Sequence, residues 1–222
     1  MSDFELDWQR ESRTGTAEAV FCTGKTLEQI ASLLQSVQSE GRRLLLTRLA
    51  PERFAALPQA ARAALDYDAR SSTAILGALP ANDAAKRAVI VAAGTSDLPV
   101  AAEAARTLAF HGIVAPIIAD VGVAGLWRLM RRIEEIRGHD VAIVVAGMEG
   151  ALFGVVAGLI EAPVIAVPAS VGYGVAAGGH AALNAALASC APGVVTVNID
   201  SGFGAAIAAI KMLNIGHRRA AG

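Results

Sequence analysis

The chain has 222 residues, of which 54% are hydrophobic, and a formal net charge of −1. That much apolar material builds one or two packed cores and excludes a disordered chain. The near-neutral charge leaves no extended basic field, so nucleic-acid binding and adhesion to an anionic membrane are excluded as main functions, and any anion site must be local.

The most apolar stretch, Val141 to Val171, contains Glu149, Glu161, Pro163 and Pro168 and falls into pieces too short to span a bilayer. The start, Met1-Ser2-Asp3-Phe4-Glu5, has neither a basic nor an apolar leader region, so a cytoplasmic protein with free thiols is expected. Its two cysteines, Cys22 and Cys190, form no metal-ligand pattern and no disulfide framework.

The chain changes character near residue 80, and the expected division is a small α+β domain over 1–82 followed by an α/β domain over 83–222. In the first, Lys25 to Leu34 has helical spacing, Leu44 to Arg48 reads as a short strand and Pro51 opens another helix. The segment Ala81 to Arg87 is a polar joint. Beyond it, strands are expected at 88–93, 113–119, 141–145, 164–167 and 194–199. Helices are expected at 97–108, 125–136, 151–159, 179–188 and 205–213. Apolar strands alternating with helices predict a parallel sheet covered on both faces, a three-layer α/β/α sandwich. The helices at 151–159 and 205–213 are so poor in polar residues that packing against other subunits is expected.

Ligands of such sheets bind at the carboxyl ends of the strands. Small, polar or glycine residues follow the strands here: Gly94-Thr95-Ser96-Asp97, Ala146-Gly147-Met148-Glu149-Gly150, Pro168-Ala169-Ser170-Val171-Gly172-Tyr173-Gly174 and Asp200-Ser201-Gly202-Phe203-Gly204. Backbone amides in glycine turns that feed helices suit a phosphate or carboxylate without a basic side chain. There is neither a Walker A loop nor a G-x-G-x-x-G turn after a strand, which disfavours an NTPase or an ordinary NAD dehydrogenase. His180 opens a helix and is a candidate for phosphate contact or acid-base work, with a plain surface histidine as the alternative; His111 and His139 read as structural. Arg10, Arg13, Lys25 and Arg48 are candidate cations toward a dinucleotide, or simply an exposed charged face. Cys190, in Ala188-Ser189-Cys190-Ala191-Pro192-Gly193, stands before what reads as a buried strand; it is either a nucleophile or a small buried hydrophobe at a helix end.

Ala93-Gly94-Thr95-Ser96-Asp97-Leu98-Pro99 before a helix, with Pro163-Val164-Ile165-Ala166-Val167-Pro168, resembles the carboxyaminoimidazole ribonucleotide mutases, a family with a flavodoxin-type α/β fold. Their Ser-Ala-His-Arg loop is replaced here by Ala119-Asp120-Val121-Gly122-Val123-Ala124-Gly125, which has no histidine, so purine chemistry is not expected. Over nearly the whole chain the pattern is similar to a paralogous family, the pyridinium-3,5-biscarboxylic acid mononucleotide synthases (LarB family) of nickel-pincer nucleotide biosynthesis. That similarity rests on Asp120 to Gly125, Ala146 to Leu152, Pro168 to Gly174, Ser189-Cys190-Ala191 and Asn198 to Gly204, with Arg13-Thr14-Gly15, Gly24-Lys25-Thr26 and Thr47-Arg48 in the first domain.

The resemblance implies carboxylation of the pyridinium ring of nicotinic acid adenine dinucleotide by carbon dioxide or bicarbonate, with NAD as an analogue, and cleavage of the phosphoanhydride to release AMP. It implies no organic cofactor and a homo-oligomer, the mutase relatives being octamers. Cys190 is the expected nucleophile and Glu149 the expected base, its apolar surroundings suggesting burial. Gly94, Thr95, Ser96, Asp97, Asp120, Gly122, Gly147, Met148, Ser170, Gly172, Tyr173, His180, Asp200, Gly202 and Gly204 are expected to hold the substrate. Asp97, Asp120 and Asp200 are candidate ligands for Mg2+ against the pyrophosphate, with a helix N-cap as the alternative for Asp97. The rival functions are a purine-type carboxymutase and a non-catalytic dinucleotide-binding module with Cys190 buried.

Overall fold

A computed structural model describes residues 5–85 and 87–220. Met1 to Phe4, on which the leader reading rests, and Lys86 of the polar joint lie outside the described residues. The chain divides into two compact units, 1–80 and 81–222.

The first unit runs α1 (Arg10–Thr14), β1 (Ala19–Phe21), α2 (Leu27–Ser39), β2 (Leu44–Thr47), α3 (Pro51–Ala55), α4 (Gln59–Ala63), β3 (Leu65–Asp68) and β4 (Thr73–Leu76). Its sheet has the order β1-β2-β4-β3, with β1 parallel to β2 and the other pairs antiparallel. Helix α2 starts in a capping box: Thr26 Oγ1 accepts from the Gln29 amide, and the Gln29 side chain accepts from the Thr26 amide. Ile30, Leu33, Leu34 and Val37, at helical spacing, form its buried face and meet Leu44, Leu46, Ala74 and Leu76 of the sheet. Burying each leucine, isoleucine or valine of this set contributes about 1.5–3 kcal/mol. Cys22 belongs to this core, and burial pushes its thiol up to about 11.

The second unit runs β5 (Ala88–Ala92), α5 (Leu98–Phe110), β6 (Ile117–Ile118), α6 (Leu126–Arg137), β7 (Val141–Ala146), α7 (Leu152–Ala157), β8 (Val164–Pro168), α8 (His180–Leu187), β9 (Val194–Thr196) and α9 (Gly202–Ala220). All five strands are parallel, in the order β6-β5-β7-β8-β9. Counted within this unit that is the doubly wound order 2-1-3-4-5 of the flavodoxin-like fold. Alternate strand residues face opposite sides. Ala88, Ile90, Ala92, Ile143, Val145 and Ile165 pack under α5 and α9, while Val89, Val91, Ala142, Val144 and Ala166 pack under α6, α7 and α8. The expected three-layer α/β/α sandwich is therefore present.

Three expectations are corrected. The second strand of this sheet is only Ile117–Ile118 rather than 113–119, because Pro116 has no N–H and the strand lies at an edge, where Pro116 only accepts from the Ile90 amide. The last strand, β9, is the opposite edge, shorter than expected and half-exposed rather than buried. The small residues of α9 do not wait for another subunit: Ala205, Ala206, Ala209 and Ile210 are buried in the protomer's own core. No helix among the described residues is long and apolar enough to cross a membrane.

Candidate active site at the carboxyl edge of the parallel sheet

The strand order reverses between β5 and β7, and the crevice of a doubly wound sheet opens at such a point. A cavity of about 250 Å³ occurs there, lined by the loops that follow β5, β6 and β7 and by Val171 from the loop after β8. Of the residues selected from sequence, Gly94, Ser96, Asp97, Gly122, Gly147, Met148 and Glu149 line it.

Close backbone contact makes this geometry. A Cβ on Gly147 would stand 2.2 Å from the Val171 carbonyl oxygen, and one on Gly122 would stand 3.0 Å from that of Ala93. The neighbouring hydrogen bonds, Met148 N–H to Val171 O at 2.9 Å and Gly122 N–H to Ala93 O at 2.8 Å, lock the loops together. Asp120, Met148 and Asp200, each just past a strand, have φ of +59°, +52° and +56°. Asp visits the left-handed region readily, but Met does so only where its surroundings hold it, and such strain concentrates at functional sites.

Asp97 is 4% exposed. Its carboxylate does not cap α5; it turns back, and Oδ2 accepts from the Gly94 amide at 2.8 Å. Burial raises the carboxyl above its ordinary range, the N–H groups of Gly94 and Gly147 act in the opposite direction, and the charge of Asp200 adds to the rise. Oδ1 is buried and has no hydrogen-bond partner among the described residues. An orphaned buried acceptor is costly, and a ligand hydroxyl or amide entering the cavity would satisfy it.

Other selected residues stand outside the cavity. Asp120 is exposed and pairs with Arg128 Nη1 at 2.9 Å, a partner that sequence reading missed because the two are eight positions apart across a turn and a helix start. Asp200 Oδ1 accepts from the Ser170 amide at 2.8 Å, joining the loops after β8 and β9. Thr95, Ser170, Tyr173 and His180 are exposed. Gly172, Gly202 and Gly204 serve close packing: a Cβ would lie 2.4 Å from Ala176 O, 2.3 Å from Val100 O and 2.5 Å from Ser201 Oγ respectively. The Gly202 site also exposes a residue not selected from sequence, the buried Glu103, whose Oε2 accepts from the Phe203 amide in the first turn of α9. His111 and His139 place Nδ1 at 2.9 Å and 3.0 Å from carbonyls one helical turn back, in line with their structural reading.

Glu149 lies at the tip of the loop after β7 and is exposed, which corrects the expectation of burial; apolar neighbours in the chain do not enclose a side chain that projects from an open sheet edge. Nor do Asp97, Asp120 and Asp200 fit a magnesium ion. They are engaged by Gly94, Arg128 and Ser170 respectively, and no three His, Cys, Asp or Glu side chains among the described residues gather as ligands. Cys190 is free and exposed, which removes the buried-hydrophobe reading, but it lies just ahead of β9, at the amino-terminal edge of the sheet. In the first unit, Arg13 pairs with Asp7 at 2.5 Å, and Lys25 lines a separate hollow of about 510 Å³ along β1 with Glu5 and Glu18.

Residues 87–221 match the AIR carboxylase family and residues 1–78 match the LarB/PurE-like N-terminal domain, so the protein is of the carboxylase and mutase type of enzyme. The chain belongs to the AIR carboxylase family, and the order of its two parts is that of a LarB-like protein with a mutase-like C-terminal domain. It is 36% identical to an uncharacterized protein of Methanocaldococcus jannaschii over 96% of this chain and 85% of that one. It is 37% identical to the N5-carboxyaminoimidazole ribonucleotide mutase of the same organism over 56% of this chain and 76% of the mutase. A crystal structure of a Treponema denticola PurE2 variant aligns with 60% of this chain and 91% of its own, at 21% identity and a TM-score of 0.44.

Proposed function

We propose that the protein carboxylates the pyridinium ring of nicotinic acid adenine dinucleotide and hydrolyses the phosphoanhydride, releasing pyridinium-3,5-biscarboxylic acid mononucleotide and AMP. The observation that carries this reading is the exposure of the Cys190 thiol. The chain's other cysteine is packed in a core with its thiol pushed up to about 11, as a structural cysteine should be, whereas Cys190 is open to a ligand.

A pyridinium carbon is electron-poor and does not attack carbon dioxide. Addition of the Cys190 thiolate at ring carbon 4 forms a C–S bond and moves an electron pair onto the ring nitrogen, giving a neutral dihydropyridine. Carbon 5 is then an enamine carbon and bonds to carbon dioxide. Glu149 takes the proton from carbon 5, the C–S electron pair returns to sulfur, and the ring regains aromaticity. The net change at the ring is replacement of hydrogen by carboxylate with release of one proton. The cavity suits the nucleotide through its glycine backbone and the free oxygen of Asp97. Water then cleaves the phosphoanhydride. The protein acts as a homo-oligomer in the cytoplasm and needs no organic cofactor.

The test is turnover of nicotinic acid adenine dinucleotide with carbon-13 bicarbonate, followed by mass spectrometry. The expected products are AMP and a mononucleotide carrying one labelled carboxyl, both lost in Cys190→Ala. Carboxylation of an aminoimidazole ribonucleotide instead, unaffected by Cys190→Ala, would mean a purine-type mutase. Dinucleotide binding without any turnover would mean a binding module.

A further inference from the structure

Cleavage of a phosphoanhydride develops negative charge on phosphate oxygens, and a cation already in place stabilises it. The cavity of about 250 Å³ is smaller than the roughly 300–1,000 Å³ of pockets that enclose a drug-sized ligand. One end of a dinucleotide fills it, and the two phosphates stand at its mouth.

Most described cations of this unit are placed elsewhere. Arg87 pairs with Asp140 just ahead of β5 and β7, at the amino edge. Arg132 and Arg137 pair with Glu135 and Glu134 further along α6, and Arg131 lies over the Trp127 ring. Arg106 and Lys211 stand in the third turns of α5 and α9. Arg128 differs, because it belongs to the first turn of α6, directly after a loop whose Gly122, Val123 and Ala124 line the cavity. That is the wrong end of a helix for a cation, since the first turn carries the positive end of the helix dipole, and α6 has no acidic residue there to offset it.

The guanidinium is also under-used. Nη1 donates to Asp120 Oδ2 at 2.9 Å. Nε is buried without a partner, and Nη2 makes no hydrogen bond among the described residues. Nε and Nη2 share one edge of the guanidinium, the fork that takes two oxygens of a phosphate side by side. This edge lies against Gly125, where a Cβ would stand 2.8 Å from Nε and 2.9 Å from Nη2, so any other residue at 125 would collide with it. A buried donor left unpaired is costly, and the Asp120 contact, being partly exposed, offsets little of that cost.

We infer that Arg128 holds the phosphoanhydride at the cavity mouth and stabilises the charge that develops when it is cleaved. This rests on the dinucleotide reading given above. Nη2 meets the phosphate directly, and a shift of the turn from Gly122 to Gly125 admits a second oxygen to Nε. In the step itself, the oxygen of water bonds to one phosphorus. The bond from that phosphorus to the bridging oxygen breaks, its electron pair stays on the bridging oxygen, and the protons of water pass to the products or to solvent. Arg128 keeps its own proton throughout and acts by charge and hydrogen bonding.

The first test separates the two halves of the reaction. Wild type and Arg128→Ala are given nicotinic acid adenine dinucleotide with carbon-13 bicarbonate, and AMP and the labelled ring are measured separately. In Arg128→Ala, AMP release should fall by about 100-fold or more while the ring is still carboxylated, so that labelled, uncleaved dinucleotide accumulates. Unchanged AMP release, or carboxylation lost in the same proportion, would overturn the assignment. The change removes an exposed ion pair and an unsatisfied nitrogen, so the Tm should stay within a few degrees of wild type.

The second test does not depend on turnover. ADP-ribose has the phosphoanhydride but no pyridinium ring, and calorimetric titration should show it binding Arg128→Ala about 10- to 100-fold more weakly than wild type. Equal affinity would overturn the phosphate site. Weakened ADP-ribose binding in a protein whose wild type has no turnover would retain the site and refute the assigned reaction. Wild-type turnover, with AMP release and ADP-ribose affinity both indifferent to Arg128→Ala, would do the reverse.

Discussion

Replacing Gly147 by alanine acts on fold and site together. The added methyl carbon would stand 2.2 Å from Val171 O, 3.1 Å from its carbonyl carbon and 3.1 Å from its Cβ. Two of these are backbone atoms, so the strain cannot be relieved by turning a side chain. The loop after β8 must move by more than 1 Å to restore ordinary van der Waals contact, roughly 3.4–4 Å. That motion breaks the 2.9 Å hydrogen bond from Met148 N–H to Val171 O and displaces one wall of the cavity. Overpacking of this kind costs about 1–3 kcal/mol, and at roughly 2–4 °C per kcal/mol for a chain of this size a 2 kcal/mol loss lowers the Tm by about 4–8 °C. Calorimetry on the wild type and Gly147→Ala reads the stability, and titration with NAD reads the cavity. A variant with unchanged Tm and unchanged NAD affinity would refute the claim that contact between these two loops shapes the site.

Four further outcomes are expected. A maleimide at pH 8 should label one thiol per native chain, lost in Cys190→Ala, and a second only on unfolding, because Cys22 is buried with its thiol pushed up to about 11; two labels on the folded wild type would contradict this. The carboxyl of Asp97 is raised in the fold, so its contribution to stability is full below the unfolded value of 3.8 and is lost as pH rises through the higher folded value; the Tm difference between wild type and Asp97→Asn should therefore move against wild type between pH 3.5 and pH 7, and a pH-independent difference would argue that the group is not perturbed. Glu103→Ala removes the buried acceptor at the first turn of α9 and should lower stability by about 1.5–3 kcal/mol in urea unfolding; an unchanged midpoint would exclude this role. Asp120→Ala breaks only a partly exposed pair with Arg128 and should shift the same midpoint by no more than about 1 kcal/mol, a larger loss meaning that the pair holds the loop.

Why parts of the molecule could be read from the chain alone follows from burial. Strands β5, β7 and β8 are covered on both faces, so each appears as an unbroken apolar run with turn residues after it. Because those turns share one edge, the strand-end rule picks out Gly94, Ser96, Asp97, Gly147, Met148 and Glu149 of the cavity lining, whereas Gly122 is picked out only by the family resemblance. Edge strands carry a weaker signal, and β6 and β9 came out shorter than their apolar runs because each pairs on one side only. The exposure of Glu149 was hidden for a related reason: hydrophobicity along the chain reports strand interiors, not the openness of the loop tips between them. The pairing of Asp120 with Arg128, and that of Glu103 with the amide of Phe203 across 100 positions, have no local pattern to betray them. The place of Cys190 was legible in principle, since a residue between a helix and the next parallel strand must lie at the amino edge.

The claim that Cys190 opens the chemistry is tested most directly by intact-mass spectrometry of the protein mixed with NAD, whose amide analogue ring should accept the thiolate and go no further. The account predicts an added mass of one dinucleotide on the wild type, reversed on dilution and absent from Cys190→Ala. A wild-type protein that binds NAD yet shows no covalent addition, or an adduct that survives the Cys190→Ala change, would contradict it.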